Sequence, residues 1–368
     1  MWKAVLLGLA LAGGAHAQDV VVDSVTLNDT GGPQPAGFLP LKVGGKVRHD
    51  PQGYSYQWPG VYFETQVSGP GVTLIFNDTA NNFNVLVDGR IVMILKKPGF
   101  GGTTVSLPQG GTHTVRVEKR SETQYATGQF LGFIAPLAQG TPPAPLSRQI
   151  EFIGDSLTVG YGNTSPYSDC TAEDIFETTD AQQGFGPIIA KQFKADYQVN
   201  AFSGLGMVRN YGGFEHPKYH MPMLYPRALF DEATPAPRDG WAPQVIVIGI
   251  GGNDFSTPVA AGEPWKDQAA LQADYEKTYI QFVKDVRKAN PKAFLILTSP
   301  EERGGYTEGT TAVYNALKAG GETKIARLTI PPTVSDGCNG HPNTRDDANI
   351  AKMFIAWFES HPEVWQGK

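Results

Sequence analysis

The sequence predicts an all-β sandwich or jelly roll followed by an α/β domain with a parallel sheet. Residues 20–134 read as short strands with no helical stretch between them. A proline-dense segment follows, and from there to residue 368 apolar strands alternate with helical patterns. Short strands at regular spacing close into sandwiches or jelly rolls, whereas strands alternating with helices build a parallel sheet covered on both faces. The 368-residue length is long for one core and comfortable for two. The expected division is a leader at 1–17, a β-domain at 18–138, a linker at 139–147 and an α/β domain at 148–368.

Met1-Trp2-Lys3, an apolar run over 4–12 and Ala15-His16-Ala17 have the layout of a Sec-type signal peptide cleaved after Ala17. About nine apolar residues are too few for a membrane anchor, which needs roughly 20. No later segment is apolar and long enough to span a bilayer, so a soluble secreted or periplasmic protein is expected. Losing Lys3 and no acid takes the formal charge from −6 to −7. That balance argues against a nucleic-acid partner, which calls for a basic excess. The chain has two cysteines, Cys170 and Cys338. In an oxidising compartment an even pair predicts a disulfide, the alternative being two buried free thiols.

In the β region, Val61-Tyr62-Phe63-Glu64-Thr65-Gln66-Val67, Val72-Thr73-Leu74-Ile75-Phe76 and Phe83-Asn84-Val85-Leu86-Val87 are rich in β-branched and aromatic residues. Turn residues separate them, and Asp88-Gly89 is a hairpin signal. Residues 112–118 alternate with the period of a half-buried strand. Beyond the prolines of 139–147, strands are expected at 150–153, 197–201, 245–250, 293–297 and 325–330. Helices are expected at 267–289, 311–319 and 346–359, and residues 204–241 read as a long loop region flanking the site.

The chemistry begins where the first α/β strand runs into Gly154-Asp155-Ser156-Leu157. Ser156 then sits at a carboxyl end of the sheet, where ligands bind in open α/β folds. Unsatisfied amides at a helix start can hold a developing oxyanion. A serine in that position can equally be a simple helix cap. A second strand ends in Gly251-Gly252-Asn253-Asp254, which brings an asparagine amide to the same side of the sheet; the alternative is a plain turn. Phe202-Ser203-Gly204-Leu205-Gly206 follows a third strand and offers a backbone N–H. Asp336-Gly337-Cys338-Asn339-Gly340-His341-Pro342 places a histidine beyond the last strand.

These four blocks, in this order, resemble the SGNH/GDSL hydrolase superfamily over about residue 150 to the end. The resemblance implies a flavodoxin-like parallel sheet, with Ser156 as nucleophile, His341 as general base, and Ser156, Gly204 and Asn253 forming the oxyanion hole. The leading Gln57-Trp58-Pro59-Gly60-Val61-Tyr62-Phe63 and Val85-Leu86-Val87-Asp88-Gly89 narrow it to a likeness with carbohydrate esterase family 2. That family joins a jelly roll to an SGNH domain and removes acetyl groups from xylan and related sugars. It implies an acetyl xylan esterase-like serine esterase acting on acetylated polysaccharide without a cofactor or metal. One position departs from the pattern. The superfamily places an aspartate three residues before the histidine and this family often two before, but here those positions hold Cys338 and Asn339. Asp336, five residues before His341, is the candidate third member. Failing it, a backbone carbonyl or Asn339 fixes the imidazole tautomer, leaving a Ser–His dyad. A Cys170–Cys338 bridge would pin the histidine loop to the loop after Ser156.

Other features carry less. His216 and His220 have poor geometry for a metal pair, because Pro217 and Pro222 interrupt any helix there. Tyr211 and Trp241 are candidate sugar-stacking residues, although packing serves aromatics equally well. Asp155 and Asp254 are expected to shape the site by hydrogen bonding rather than act as a glycosidase pair. Glu173, Asp174 and Glu177 read as a solvated face. The rivals to the esterase are a carbohydrate-binding protein with an inactive SGNH domain and a GDSL-type lipase or lysophospholipase. Oligomeric state is not legible.

Overall fold

The computed structural model describes residues 22–25, 37–135, 139–214 and 218–366. The expected leader, with its cleavage point after Ala17, and His216 lie outside them. Residues 22–25, 37–135 and 139–141 form two antiparallel sheets. One is ordered, by strand, Val22–Val25, Gly99–Ser106, Gly71–Asp78, Gly128–Ile134, Gly53–Tyr56 and Arg48–Asp50. The other runs Gln139–Thr141, Tyr62–Ser68, His113–Lys119, Asn82–Val87 and Arg90–Lys96, with Lys42–Gly44 also paired to Tyr62–Ser68. Their inner faces share one apolar core, in which Phe63 of one sheet stacks on Phe130 of the other at 4.5 Å. Alternation puts every second side chain of such strands into that layer. The hairpin read at Asp88-Gly89 is present, with φ of 51° and 78° as a two-residue primed turn requires.

The α/β region carries a five-stranded parallel sheet ordered Ala195–Ala201, Arg148–Gly154, Val245–Gly249, Phe294–Pro300 and Ile325–Ile330. Within this region that is the order 2-1-3-4-5 of a flavodoxin-like fold, as the family resemblance implied. The strand order reverses between the first and third strands, and the crevice beyond their carboxyl ends is where such sheets bind ligands. Gln268–Ala289 is a helix capped by Asp267, whose side chain accepts from the Ala270 amide. Thr344–Ser360 starts with a capping box between Asn343 and Asp346.

Three local readings change. The helix expected at 311–319 begins at Gly304. Its first turns are glycine-rich and hide the helical period, because Gly305 and Gly309 lie where a Cβ would press on Phe255 and Tyr275. Helices Ala172–Thr178 and Phe185–Gln192 were not legible, being short and, in the second, interrupted in pattern by Gly186-Pro187. The stretch expected as a linker opens with the strand Gln139–Thr141, which pairs with Tyr62–Ser68 and so belongs to the sandwich.

The two regions interlock. Trp58, from the β region, is buried in the apolar core of the α/β region, where it meets Phe230 edge-on at 4.6 Å and its Nε1–H donates to the Arg227 carbonyl at 2.9 Å. The Tyr62 hydroxyl donates to Asp196 at 2.8 Å, and the Arg116 guanidinium lies 3.6 Å over the Tyr62 ring while donating to the Tyr197 hydroxyl at 2.9 Å. Glu177, read as solvated, pairs with Lys96 of the sandwich. Among the described residues no helix is long and apolar enough to cross a membrane.

Candidate active site

Ser156 opens the short helix Ser156–Val159 immediately after its strand, and Asp155 caps that helix, accepting from the Leu157 amide at 3.2 Å. The first amides of a helix have no partner within it. The Ser156 N–H accordingly has no acceptor among the described residues. His341 sits just beyond a one-turn 3₁₀ segment, Cys338–Gly340, that follows the last strand. The Ser156 hydroxyl and His341 Nε2 are 2.8 Å apart, and His341 Nδ1 is 3.0 Å from the Cys338 carbonyl oxygen. A carbonyl can only accept, so Nδ1 carries the proton and Nε2 is left as the acceptor for the serine O–H. Tyr161 packs its ring against the imidazole at 4.3 Å. Burial pulls His341 below its ordinary 6.5, with the positive charge of Arg303 acting the same way, while the Cys338 carbonyl opposes both.

Asp336 makes no hydrogen bond to His341 among the described residues. Its carboxylate bonds the Asn343 side chain and pairs with Arg345 at 3.2 Å on the exposed side of the loop. The turn at Cys338–Gly340 presents a backbone carbonyl to the imidazole, the arrangement the sequence left open as the alternative to Asp336. Cys170 and Cys338 are joined as a disulfide. The residue whose carbonyl holds the histidine is thereby tied to the loop after Ser156.

Asn253 faces the same cleft, its Nδ2 donating to the Leu205 carbonyl at 2.8 Å and to Asp155 at 3.3 Å. Burial pushes the Asp155 carboxyl up to about 6, although the Leu157 amide favours its ionised form. Asp254 points away from the cleft into the loop at 205–210, where it accepts from the amides of Met207, Val208 and Arg209 at 2.8–3.0 Å. It fixes the path of the chain that carries Gly204 and does not face solvent, as hydrogen bonding that shapes the site requires. Gly204 lines the cleft, and its carbonyl accepts from the Tyr211 amide at 2.9 Å. Tyr211 is 61% exposed at the rim.

Trp241 lies elsewhere. It precedes the amino end of strand Val245–Gly249 and its Nε1–H donates to Glu151 at 3.3 Å, so it is on the wrong end of the sheet for a substrate contact. His220 precedes the short helix Met221–Leu224 and is half-buried. No cluster of three metal-binding side chains occurs among the described residues.

The cleft has a volume of about 950 Å³. Sequence reasoning missed two of its walls. Arg303 comes from the loop after strand Phe294–Pro300, a carboxyl strand end that the fold rule alone could have flagged. Gln124 comes from the β region, for which no motif gave a signal.

Residues 43–145 match the family model of the carbohydrate esterase 2 N-terminal domain, and residues 152–357 match that of the GDSL-like lipase/acylhydrolase family. The chain is 42% identical over 334 residues to an acetylxylan esterase / glucomannan deacetylase of Cellvibrio japonicus, covering 89% of this chain and 92% of that protein. It is 29% identical over 338 residues to the cellulase/esterase CelE of Acetivibrio thermocellus, spanning 83% of this chain and 38% of that longer protein. Among solved structures, it is similar to a carbohydrate esterase whose active site displays divergent catalytic and non-catalytic binding functions. That similarity has 41% identity and a TM-score of 0.83, over 89% of this chain and 99% of the other. A family two carbohydrate esterase from Clostridium thermocellum, solved in complex with cellohexaose, gives 26% identity and a TM-score of 0.76 over 88% and 99% of the two chains.

Proposed function

We propose, since the chain belongs to carbohydrate esterase family 2 and carries its GDSL-like hydrolase domain, that it removes acetyl groups from polysaccharide through an acyl-enzyme on Ser156. The 2.8 Å contact between the Ser156 hydroxyl and His341 Nε2, inside a cleft at the sheet's carboxyl ends, carries the reading. His341 takes the hydroxyl proton as Ser156 attacks the ester carbonyl. The oxyanion is held by the N–H groups of Ser156 and Gly204 and by Asn253, which exchanges its long contact to Asp155 for the developing charge. His341 then gives the proton to the leaving sugar oxygen. In the second half a water, deprotonated by His341, attacks the acyl carbonyl, and Ser156 leaves with that proton as acetate is released. The Cys338 carbonyl holds the imidazole in place, so the machinery is a Ser–His dyad. Acetylated xylan or glucomannan is the substrate class, by likeness to the relative so named. The expected leader makes the mature enzyme secreted or periplasmic, with the β region at 18–138 and the hydrolase at 148–368.

Acetate release from 4-nitrophenyl acetate and from acetylated xylan, wild type beside Ser156→Ala, tests the reading. Activity on both, lost in the variant, is the expected result. Activity on the small ester alone would keep the mechanism and displace the polysaccharide. A folded wild type inert on both would overturn the esterase in favour of a carbohydrate-binding protein.

A further inference from the structure

The oxyanion donor assigned to Gly204 lies in a turn that has two ways to point it. Phe202–Leu205 is closed by the Leu205 amide donating to the Phe202 carbonyl at 3.2 Å, and Gly204 has φ of 81°. A positive φ at the third residue marks a type II turn, and reversing the middle peptide gives type I. Glycine adopts either conformation at little cost. The middle peptide here joins the Ser203 carbonyl to the Gly204 N–H. In a trans peptide those two groups point in opposite directions, so whatever binds the carbonyl aims the N–H.

What binds it comes from the β region. Gln124 Nε2 donates to the Ser203 carbonyl at 3.3 Å, and Glu122 accepts from the Ser203 amide at 2.8 Å. Both peptide planes flanking Ser203 are therefore held by one sandwich loop. That loop is itself built for the contact. Gln124 has φ of 44°, a left-handed conformation uncommon for a side chain of its size, within a turn closed by the Ala126 amide on the Thr123 carbonyl at 2.9 Å. Gln57 locks its far side, donating to the Tyr125 carbonyl at 3.0 Å and to the Thr127 hydroxyl at 2.9 Å, while its own oxygen accepts from the Phe230 amide of the hydrolase region.

We propose that Gln124 is a positioning residue for the hydrolysis: by holding the Ser203 carbonyl it keeps the Gly204 N–H turned into the cleft. The β region thus completes the oxyanion hole from outside the hydrolase domain. The inference rests on the serine-esterase reading of the same site.

The test compares Gln124→Glu, which keeps the shape and loses the donor, with Gln124→Lys, which restores an N–H donor of similar reach. The substrate is 4-nitrophenyl acetate, which offers no sugar to touch, and rates are read on the pH plateau beside Ser156→Ala. Loss of a whole oxyanion donor costs about 10²–10³ in kcat, and a donor left free to turn away should cost Gln124→Glu roughly tenfold or more. KM should stay within about twofold, melting temperature should be unchanged, and Gln124→Lys should recover most of kcat. A Gln124→Glu enzyme with wild-type kcat would overturn the proposal. So would a loss confined to KM, a loss that follows melting temperature, or a Gln124→Lys variant no better than Gln124→Glu. Wild-type activity that survives Ser156→Ala would instead remove the serine reading, and this inference with it.

Discussion

At the residue scale the imidazole of His341 is supported by a carbonyl where many serine hydrolases use a carboxylate. A carbonyl fixes the tautomer as well as an acid does, yet it brings no full negative charge to raise the histidine's basicity. Burial then dominates and lowers the His341 pKa. The base must be neutral to act, so kcat/KM should fall as pH drops through a midpoint below 6.5, with most activity still present at 6.5. A pH–rate profile measures this; a midpoint above 7, or a rate flat down to pH 4, would contradict the role. Asp336, bonded to Asn343 and Arg345, should be dispensable. Asp336→Ala is expected to keep kcat/KM within about twofold and to cost at most about 1 kcal/mol, the usual worth of an exposed ion pair. A loss of a hundredfold would restore the aspartate to the machinery.

The element that matters most is the loop from the last strand to the helix Thr344–Ser360. Its anchors include the Asn343–Asp346 capping box, the Asn339 amide on the Ser168 carbonyl at 2.6 Å, the Thr344 amide on the Asn163 carbonyl at 2.9 Å, and the Cys170–Cys338 bridge. The bridge joins cysteines 168 positions apart and holds the very residue whose carbonyl meets the imidazole. Its removal should act on stability and on rate separately. Cys170→Ser is expected to cost about 2–4 kcal/mol in denaturant unfolding. At temperatures where the variant is folded, misplacing the base should lower kcat by roughly tenfold. Equal kcat in the bridged and unbridged proteins would mean that the turn at Cys338–Gly340 holds His341 unaided.

On the scale of the whole molecule, the sandwich and the hydrolase region share side chains rather than merely abutting. Trp58 fills the hydrolase core, Gln57 accepts from the Phe230 amide, and the loop at 121–127 reaches the turn of Gly204. Calorimetry of the full chain should therefore show one cooperative unfolding transition. Trp58→Ala should lower the stability of that single transition by about 3–5 kcal/mol, the usual cost of deleting a buried tryptophan. Two resolved transitions in the wild type would show that the regions unfold independently.

Much of this was legible in the sequence because it depends on local pattern. Short β-rich segments with turn residues between them specify antiparallel sheets, and strand–helix alternation specifies a parallel one. Gly154-Asp155-Ser156-Leu157 and Gly251-Gly252-Asn253-Asp254 lie at strand ends, and parallel strands bring their ends together. That geometry places Ser156 and Asn253 on one side without any knowledge of packing. The partner of His341 Nδ1 was not legible, since the choice between Asp336 and a backbone carbonyl turns on the path of one loop. Nor was the position of Trp241, whose aromatic character reads the same at either end of a sheet. The sequence by itself determined the two fold classes, because they follow from periodicity, and which residue types meet at the strand ends, because parallel strands end together. Only the tertiary structure decided that the Cys338 carbonyl meets the His341 imidazole, because that contact depends on the path of one loop, and that Gln124 reaches the Ser203 carbonyl, because that contact depends on how the two regions pack.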